Sequence, residues 1–493
     1  MTDLFDETTA SFLSWFKQLP GATFSDAIAI QDLRSRSAGR GIIALRDIPA
    51  ETVLFTVPRA SIISVETSAL RTHLPALFSS VNPSNNGADD DGEDADPSSS
   101  ARLDAWGALI LVLLYEHLRG AASAWRPYLD ALPSSFATPM FWAPAELAAL
   151  QASATVTKVG REAADDAFRG LLLPAVRAAP DVFAGSADMS DDELLALAHR
   201  MGSTIMAYAF DLEKDEDEDD EDGEDGWVED RDGMAMMGMV PMADMLNADA
   251  EFNAHVNHGD DELTITALRP IKAGEEILNY YGPHPNSELL RRYGYVTERH
   301  ARYDVVEIPW EMIEAAAVSH LGLPESAWAK VRGHLDEDEL EDTFVLERAC
   351  PEVTPEGTFP PADADADGAP RFAGLPGDLE QQLGDFLRAA RAVDLTLPAP
   401  DKRRREELRA AIVASALTTL EAQYPTTLAQ DEQLLADAGA AVAGDKERMA
   451  LVVRVGEKRL LREARAFLEA AAAASQQQQE HGGASPMKRP RLE

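Results

Sequence analysis

Strand-like segments stand on both sides of a long helical stretch, and this order limits the fold more than any other feature of the sequence. Residues 27–64 contain β-branched runs separated by turn residues, and strand-like runs return at 263–269 and 275–281. Between them, from about 65 to 235, the character of the chain is helical. The order therefore predicts one β domain that a helical insert divides in sequence.

Three segments of the insert are predicted as helices. Residues 101–119 and 144–175 have helical length and composition. A third helix should begin after Ser190, because Ser190 and Glu193 fit a capping box, and it should run to about Phe210.

Acidic residues dominate the charge of the chain. Asp and Glu number 86 against 44 Lys and Arg, which gives a net charge of −42 at pH 7. This balance disfavours nucleic-acid binding, which needs a basic surface, and favours a basic protein partner. Two segments, 79–100 and 213–232, lack core residues, and we expect them to be solvated loops. The second loop, which is almost purely acidic, has a further possible role in attracting a basic substrate.

A second domain is expected because 493 residues are too many for one hydrophobic core. From about 300 to 475 the chain is again mostly helical. Residues 476–493 are expected to form an unstructured tail, in which Lys488, Arg489 and Arg491 make a short basic motif. The motif looks like a nuclear localisation signal, so we expect nuclear localisation, with some protein in the cytoplasm.

We expect neither a membrane anchor nor a metal site. The longest apolar run, 108–115, is far shorter than the ~20 residues that a membrane span needs. The N-terminus lacks the basic start and apolar run of a signal peptide. Cys350 is the single cysteine, which excludes a cysteine cluster, and His255 and His258 have no third ligand at a suitable spacing. The expectation is a soluble, intracellular, monomeric protein.

Four motifs combine glycines, tyrosines and a few polar side chains. The first, at 35–64, begins SRSAGRGIIALRD, in which two glycines bracket one arginine and allow close approach of backbone to a ligand. The second is MAYAF at 206–210. The third, GMVPMADMLNADAEFNAHV at 238–256, ends an apolar run in an aspartate and an asparagine. The fourth, IKAGEEILNYYGPHPNSELLRRYGYV at 271–296, ends a strand in two tyrosines.

Together the four motifs resemble those of SET-domain protein lysine methyltransferases. The similarity is to the branch that includes the plant Rubisco large-subunit methyltransferase and the fungal ribosomal-protein lysine methyltransferases. The resemblance implies an α+β fold, with a SET domain over 20–295 that is split by the helical insert and an all-α substrate-binding domain over 300–475. It also implies S-adenosyl-L-methionine (AdoMet) as the cofactor and N-methylation of a lysine side chain in a protein.

The resemblance assigns roles to individual residues. Tyr281 matches the catalytic tyrosine. The residues expected to bind AdoMet are Ala38, Gly39, Arg40, Ala207, Asn247, Ala248 and Tyr293. The residues expected to bind the substrate are Trp125, Tyr208, Phe210 and Asp244. Position 248 departs from the family, which usually has histidine there; this puts a side-chain contact with the cofactor in doubt, whereas backbone contacts need no particular side chain.

The chemistry explains why aromatic residues are needed. The nucleophile is the neutral amine, whereas a free lysine has a pKa of about 10.4. Burial of the lysine tip between aromatic rings favours the neutral form, and Tyr208, Phe210, Tyr281 and Tyr293 are candidates for such walls. Most of the catalysis should then be positioning. We therefore assign Tyr281 an orienting and electrostatic role.

Several residues keep a structural alternative. Tyr280 is interpreted as an ordinary strand residue. Trp125 is either a core residue or a substrate contact, and Asp244 either faces the substrate or cross-links backbone. Arg40 needs only its backbone to serve the cofactor.

The acid excess and the resemblance to the fungal branch favour a ribosomal-protein lysine as the target. Two alternatives stay open. One is a histone or nuclear regulatory protein as the substrate. The other is a non-catalytic acidic scaffold that binds basic proteins, which Ala248 supports and which Tyr281, Asn247 and the glycine motif oppose.

Overall fold

The computed structural model describes residues 4–36, 38–78, 103–212, 237–335, 340–360, 370–397, 402–437 and 445–482. The two acidic segments predicted as loops, 79–100 and 213–232, lie outside these ranges. The basic motif near the C-terminus also lies outside them.

The strands of the two main sheets of the N-terminal domain come from both sides of the insert, as predicted, whereas the short β5 (Ala209–Asp211) lies within the insert. The other strands of the domain are β1 (Thr23–Phe24), β2 (Ile28–Asp32), β3 (Arg40–Ala44), β4 (Val53–Pro58), β6 (Met237–Met239), β7 (Asn247–Ala248), β8 (Ala254–His258), β9 (Glu262–Ala267) and β10 (Glu276–Asn279). Within the described residues these strands form two four-stranded sheets, ordered β1-β4-β9-β8 and β2-β3-β10-β7, and the two-stranded sheet β5-β6. Each four-stranded sheet therefore joins strands from before and after the insert.

The pairing of β7 with β10 is parallel, whereas β10 pairs with β3 in the antiparallel sense. Leu278 lies opposite Asn247, and Asn279 lies opposite Ala248. Asn253 fixes the approach to this pair, because its Nδ2 donates to the Glu276 carbonyl at 2.8 Å and its Oδ1 accepts from the Leu278 N–H at 2.8 Å. These contacts join the end of the third motif to the first part of the fourth.

The insert is helical. Helix α1 (Leu4–Phe16) precedes the insert. The helices of the insert are α2 (Leu70–His73), α3 (Pro75–Phe78), α4 (Ala105–Leu118), α5 (Arg126–Ala131), α6 (Pro144–Leu147), α7 (Arg161–Ala167), α8 (Leu173–Ala178) and α9 (Asp191–Tyr208). The apolar α4 is buried along most of its length. Helix α1 lies before residue 20, where the N-terminal domain was predicted to begin. Its Phe12 and Phe16 are nevertheless fully buried in the core of that domain.

Two helix predictions for the insert have different outcomes. The capping box is confirmed, since the Ser190 N–H donates to Glu193 Oε2 at 2.8 Å and the Glu193 N–H donates to Ser190 Oγ at 3.3 Å. The single helix predicted over 144–175 is wrong, because the segment is broken into α6, α7 and the start of α8. Gly160, with φ of 66°, has the left-handed conformation that separates the turn before it from α7.

The C-terminal domain is mostly helical, as predicted, but it is not all-α, because it contains two small sheets. Its elements follow α10 (Asn286–Tyr293) and are β11 (Val306–Pro309), α11 (Trp310–Leu321), α12 (Glu325–Arg332), β12 (Thr343–Leu346), β13 (Arg348–Ala349), β14 (Arg371–Phe372), α13 (Gly377–Val393), α14 (Lys402–Ala422), α15 (Leu428–Asp437) and α16 (Lys446–Gly482). Strand β11 pairs with β12, and β13 with β14. Helix α16 continues to Gly482, so the first residues of the predicted tail are helical.

Buried polar contacts join the two domains. Glu457 of α16 accepts hydrogen bonds from Ser153 Oγ at 2.6 Å and from the Tyr424 hydroxyl at 2.9 Å. Asp304 accepts from the backbone N–H of Asn286 at 3.1 Å. In the part of the chain that the structure describes, no helix is long and apolar enough to cross a membrane.

Candidate active site

Four tyrosines gather near the end of β10, α10 and the end of α9: Tyr208, Tyr281, Tyr293 and Tyr295, here called the tyrosine cluster. The rings of Tyr281 and Tyr293 are stacked, with centroids 4.8 Å apart and planes inclined by 22°. The ring of Tyr295 lies 6.1 Å from that of Tyr293. Burial raises the pKa of Tyr208 to about 12 and holds the pKa of Tyr281 well above its usual range. These phenols are therefore neutral hydrogen-bonding groups at physiological pH.

The hydroxyl of Tyr281 donates to the carbonyl of Leu246 at 2.9 Å. Leu246 directly precedes β7, and Tyr281 is the second residue after β10, so the bond lies beside this parallel pair of strands. The bond fixes the direction of the phenol and leaves the oxygen lone pairs available to another donor. An oriented oxygen at this place is what the predicted role of Tyr281 requires.

Asp244 is held in a short 3₁₀ turn, Ala243–Met245, and is 5% exposed. Its Oδ2 accepts a hydrogen bond from the hydroxyl of Tyr128 on α5, whereas its Oδ1 has no partner. The turn is preceded by Met242, a non-glycine residue with φ of 80°. Burial raises the pKa of Asp244 to about 7, although the Tyr128 bond acts in the opposite direction.

Asn247 joins three strands through its side chain. Its Nδ2 donates to the Arg40 carbonyl at 3.1 Å and to Glu276 Oε1 at 2.7 Å. Gly41 explains how this is possible, because a Cβ there would lie 2.8 Å from Glu276 Oε1 and 2.9 Å from Asn247 Nδ2. Burial raises the pKa of Glu276, and the Asn247 bond partly offsets that effect. The second glycine of the first motif is thus required by packing.

The Arg40 side chain points to the N-terminal helix and α5. It donates to the Ala131 carbonyl at 2.6 Å and to the hydroxyls of Thr8 and Thr9 at 2.7 and 2.8 Å, and it lies 3.9 Å from the centre of the Phe5 ring. The side chain therefore serves the fold. This position favours the interpretation that only the backbone of residue 40 serves the cofactor.

The other residues of the first motif lie at the turn before β3. The Ala38 N–H donates to the Leu33 carbonyl at 3.2 Å, and the Gly39 carbonyl accepts from the Leu33 N–H at 2.9 Å. A Cβ at Gly39 would meet nothing within 4 Å. The turn thus leaves open space beside its backbone, unlike the packed position 41.

Four further predicted residues lie in different surroundings. Ala207 is buried in α9, and Phe210 is partly exposed in β5. Ala248 is half-buried, and the Tyr295 hydroxyl lies 3.5 Å from its carbonyl oxygen. Trp125 is buried, and its indole N–H donates to the Ser61 carbonyl at 2.8 Å, so its position favours the core interpretation over a substrate contact.

Three residues at the site were not singled out from the sequence: Tyr128, Glu276 and Tyr295. Tyr128 is separated from Asp244 by 116 residues, and no local sequence pattern predicts their hydrogen bond. Glu276 offered a signal, since it is a charged residue at the start of the strand-like run 275–281 of the fourth motif. Tyr280 behaves as expected, because its ring stacks on Phe252 with centroids 4.6 Å apart.

The residues present fit AdoMet. A cationic sulfonium is favoured beside aromatic faces, which the tyrosine cluster supplies. The open backbone at Gly39 lies next in sequence to Arg40, whose carbonyl is tied to Asn247. The residues expected to hold the cofactor on both sides of the insert are therefore joined by a hydrogen bond.

Comparisons with known proteins agree with this geometry. Residues 39–282 match the SET domain family, and residues 369–461 match the Rubisco LSMT substrate-binding family. Ribosomal lysine N-methyltransferase 4 of Saccharomyces cerevisiae is 31% identical over 323 residues, which cover 64% of this chain and 60% of the yeast protein. N-lysine methyltransferase SETD6 of Mus musculus is 26% identical over 477 residues, which cover 92% of this chain and 89% of the mouse protein.

Solved structures share the fold along almost the whole chain. The structure of the SET domain of LSMT bound to lysine and AdoHcy superimposes with a TM-score of 0.61 at 18% identity, covering 98% of this chain and 97% of that one. Rubisco LSMT bound to AdoMet gives a TM-score of 0.58 at 18% identity, covering 97% of each chain.

Proposed function

Because the chain belongs to the SET-domain protein lysine methyltransferases, which use AdoMet, we propose that its substrate is a lysine side chain of a ribosomal protein. The observation that carries the assignment of a lysine site is the Tyr281 hydroxyl held 2.9 Å from the Leu246 carbonyl within the tyrosine cluster. AdoMet, when bound, supplies an electrophilic methyl group.

The residues of this chain bind and orient the amine. Stacked rings of Tyr281 and Tyr293 form an apolar wall that favours the neutral amine over the ammonium. The oriented Tyr281 oxygen and the carbonyl groups near it are acceptors for amine N–H groups, which leaves the nitrogen lone pair directed along the remaining axis. Asn247, Ala248 and the turn at 38–40 are the residues proposed to hold the cofactor.

Two observations support a ribosomal substrate. The net charge of −42 favours a basic partner, and ribosomal proteins are basic. The yeast relative is named a ribosomal lysine methyltransferase, and it is 31% identical to this chain over the matched region. The C-terminal domain, which matches the Rubisco LSMT substrate-binding family, is proposed to hold the substrate protein.

The experiment is a methyl-transfer assay with labelled AdoMet and two substrate pools, purified ribosomal proteins and purified histones. We expect label in a ribosomal protein, and peptide mapping then identifies the lysine. Label confined to histones would exclude the ribosomal assignment while leaving the enzyme class intact. Absence of label from both pools, with AdoMet binding intact, would direct the search to other proteins.

The second candidate is a histone or nuclear regulatory protein, and the basic motif Lys488, Arg489 and Arg491 favours it because it would bring the protein into the nucleus. The motif lies outside the described residues. We propose nuclear localisation on this basis. A fluorescent fusion should be nuclear, and replacement of the three basic residues by alanine should move it to the cytoplasm; an unchanged distribution would remove the motif from this role.

A further inference from the structure

A polar cavity of ≈ 260 Å³ opens between three helices of the insert. Its ionisable walls are His117 from α4, Arg126 and Asp130 from α5, and Arg200 from α9. The turn after α5 adds the hydroxyl of Ser134. The residues assigned to catalysis, to AdoMet and to the target lysine all lie within the described ranges, and none of them lines this cavity. The cavity is therefore distinct from the candidate active site.

Arg200 carries a charge that no carboxylate neutralises in the described part of the chain. Its Nη2 donates to Nε2 of the His117 ring at 2.9 Å, and no other described residue accepts from this guanidinium group. Burial, Arg200 and Arg126 lower the pKa of His117 to about 4, so the ring is neutral at physiological pH. A neutral partner satisfies one donor of Arg200 and leaves its charge in place.

Arg126 supplies a second positive charge. Its Nε and Nη2 donate to the two oxygens of Asp130 at 2.9 and 2.7 Å, one helical turn further along α5. This pair uses two of the three guanidinium nitrogens, so Nη1 stays available. With His117 neutral, two guanidinium groups and one carboxylate leave an excess of one positive charge on the cavity walls. Such an excess is a local exception in a chain whose net charge is −42.

Available guanidinium donors on two helices fit a phosphate group. Guanidinium N–H groups bind phosphate oxygens through charge-assisted hydrogen bonds. Arg126, Arg200 and Ser134 stand on three different elements. The oxygens of a tetrahedral phosphate point in several directions and suit such an arrangement better than the two coplanar oxygens of a carboxylate. We propose that the cavity binds a phosphate dianion, either as the free ion or as a phosphomonoester.

The local charges outweigh the acidity of the whole chain at this place. The excess of acids opposes any anion, but exposed charges farther away than about 8 Å are largely screened at physiological ionic strength. Arg126 and Arg200 are half-buried, so their attraction for an anion in the cavity is screened less. Among the lining residues, Asp130 is the carboxylate that competes directly, because it already occupies two donors of Arg126.

A phosphate bound here would join two helices that reach the candidate active site. Helix α5 carries Tyr128, and α9 ends at Tyr208, which lies about 12 Å along the helix from Arg200. A ligand that binds only the folded protein stabilises it by mass action. Phosphate should therefore raise the unfolding midpoint.

Isothermal calorimetry on the full chain with inorganic phosphate tests the site, at constant ionic strength and about pH 7.5, where phosphate is mostly doubly charged. We expect the wild type to bind with a Kd of about 1 mM or tighter, because two charge-assisted contacts of ordinary strength supply that affinity. Arg200→Gln should weaken binding by about tenfold or more. Absence of binding to the wild type, or equal affinity in Arg200→Gln, would overturn the proposal.

The matched control is Arg169→Gln. Arg169 is an exposed arginine that pairs with Asp192 outside the cavity. This variant should bind phosphate as the wild type does. An equal loss of affinity in both glutamine variants would contradict a specific site, because it would show a general effect of lowering the positive charge.

Asp130→Asn should change the affinity in the opposite direction. The amide releases the donors of Arg126 and removes the competing charge, so phosphate binding should become tighter by about threefold or more. Asp130 is exposed, so this variant keeps the proposal testable if Arg200→Gln folds poorly. Arg200→Lys keeps the charge and should bind more tightly than Arg200→Gln. An affinity in Asp130→Asn no tighter than that of the wild type would contradict the arrangement.

Two further probes identify the source of the phosphate group. Tighter binding of glycerol 3-phosphate than of inorganic phosphate would assign the site to a phosphomonoester, and the reverse order would assign it to the free ion. Acetate is the carboxylate control, and acetate binding as tight as phosphate binding would contradict the phosphate assignment.

Thermal unfolding gives an independent reading. Phosphate should raise the unfolding midpoint of the wild type by more than that of Arg200→Gln. The comparison between variants removes the general stabilising effect that phosphate has as a salt. Equal shifts in both proteins would contradict binding at Arg200. None of these measurements depends on methyl transfer, so the site and the proposed function stand or fall separately.

Discussion

Tyr281 donates its hydroxyl proton to the carbonyl of Leu246 at 2.9 Å, across the parallel pair formed by β7 and β10. The strand register places Leu246 level with Ile277, four residues before Tyr281, so the contact depends on the path of the chain after β10 and not on register alone. The contact orients the phenol beside Asn247 and Ala248, the residues proposed to hold the cofactor. It links the predicted catalytic tyrosine directly to the backbone beside the proposed cofactor site.

Replacing Tyr281 by phenylalanine should therefore reduce kcat by about 10² or more, because the oriented oxygen is lost while the ring wall remains. AdoMet affinity, measured by calorimetry, should change less than about twofold. Tyr280→Phe is the matched control, since that ring stacks on Phe252, and it should keep most of the turnover. Equal turnover in Tyr281→Phe and the wild type would remove the hydroxyl from the mechanism.

The two glycines of the first motif should respond differently to alanine. Gly41→Ala places a Cβ 2.9 Å from Asn247 Nδ2, so it should lower both the unfolding midpoint and AdoMet affinity. Gly39→Ala meets no protein atom within 4 Å and should fold normally. If the open space belongs to the cofactor, Gly39→Ala should still weaken AdoMet binding. If both variants had the melting curve and the AdoMet affinity of the wild type, this arrangement would be contradicted.

The side chain of Arg40 should matter for stability and little for the cofactor. Arg40→Met removes its hydrogen bonds to α1 and α5, each worth about 1 kcal/mol, so the free energy of unfolding should fall by about 2–4 kcal/mol. The backbone carbonyl that accepts from Asn247 remains, so AdoMet affinity below the melting transition should be kept. Arg34→Met is the control, because Arg34 also lies over the Phe5 ring but is much more exposed. A large loss of affinity in folded Arg40→Met would show that the side chain serves the cofactor.

The domain interface should make stability depend on pH. Burial raises the pKa of Asp304 to about 7 and that of Glu457 to about 8, whereas in the unfolded chain both acids ionise at their usual lower pH. The folded state then holds more protons than the unfolded state between about pH 4 and pH 8, so stability should fall as the pH rises through this window.

Glu457→Gln should flatten this dependence, because the amide stays neutral. Denaturant unfolding at about pH 5 and pH 8 measures the effect, and the difference between the two should be smaller in the variant than in the wild type. Glu463→Gln is the control, since Glu463 is partly exposed and paired with Arg348. A variant that retains the full wild-type difference would show that Glu457 does not titrate in this way.

The sequence predicted the parts of the fold that depend on local signals. The strands on both sides of the insert, the capping box at Ser190 and the mostly helical C-terminal domain follow from periodicity and side-chain chemistry. The break in the helix predicted over 144–175 was harder to predict, because the region is apolar enough to read as one helix.

The site depends more strongly on contacts between distant segments. Tyr128 and Asp244, which share a hydrogen bond, are 116 residues apart. The bond from Asn247 to the Arg40 carbonyl spans 207 residues, so no local sequence pattern predicts either contact. For Trp125 the sequence left both a core role and a substrate contact open, and its burial and its bond to Ser61 favour the core. Motif order predicted the candidate site, and tertiary packing determines which contacts each side chain makes there.

The most direct test of the central claim is the chemical identity of the methylated residue. Protein labelled by the wild-type enzyme and AdoMet should be hydrolysed to free amino acids and separated. The account predicts label in methylated lysine, with little or none when Tyr281→Phe replaces the wild type. Label in methylated arginine or histidine, or equal label with both enzymes, would contradict it.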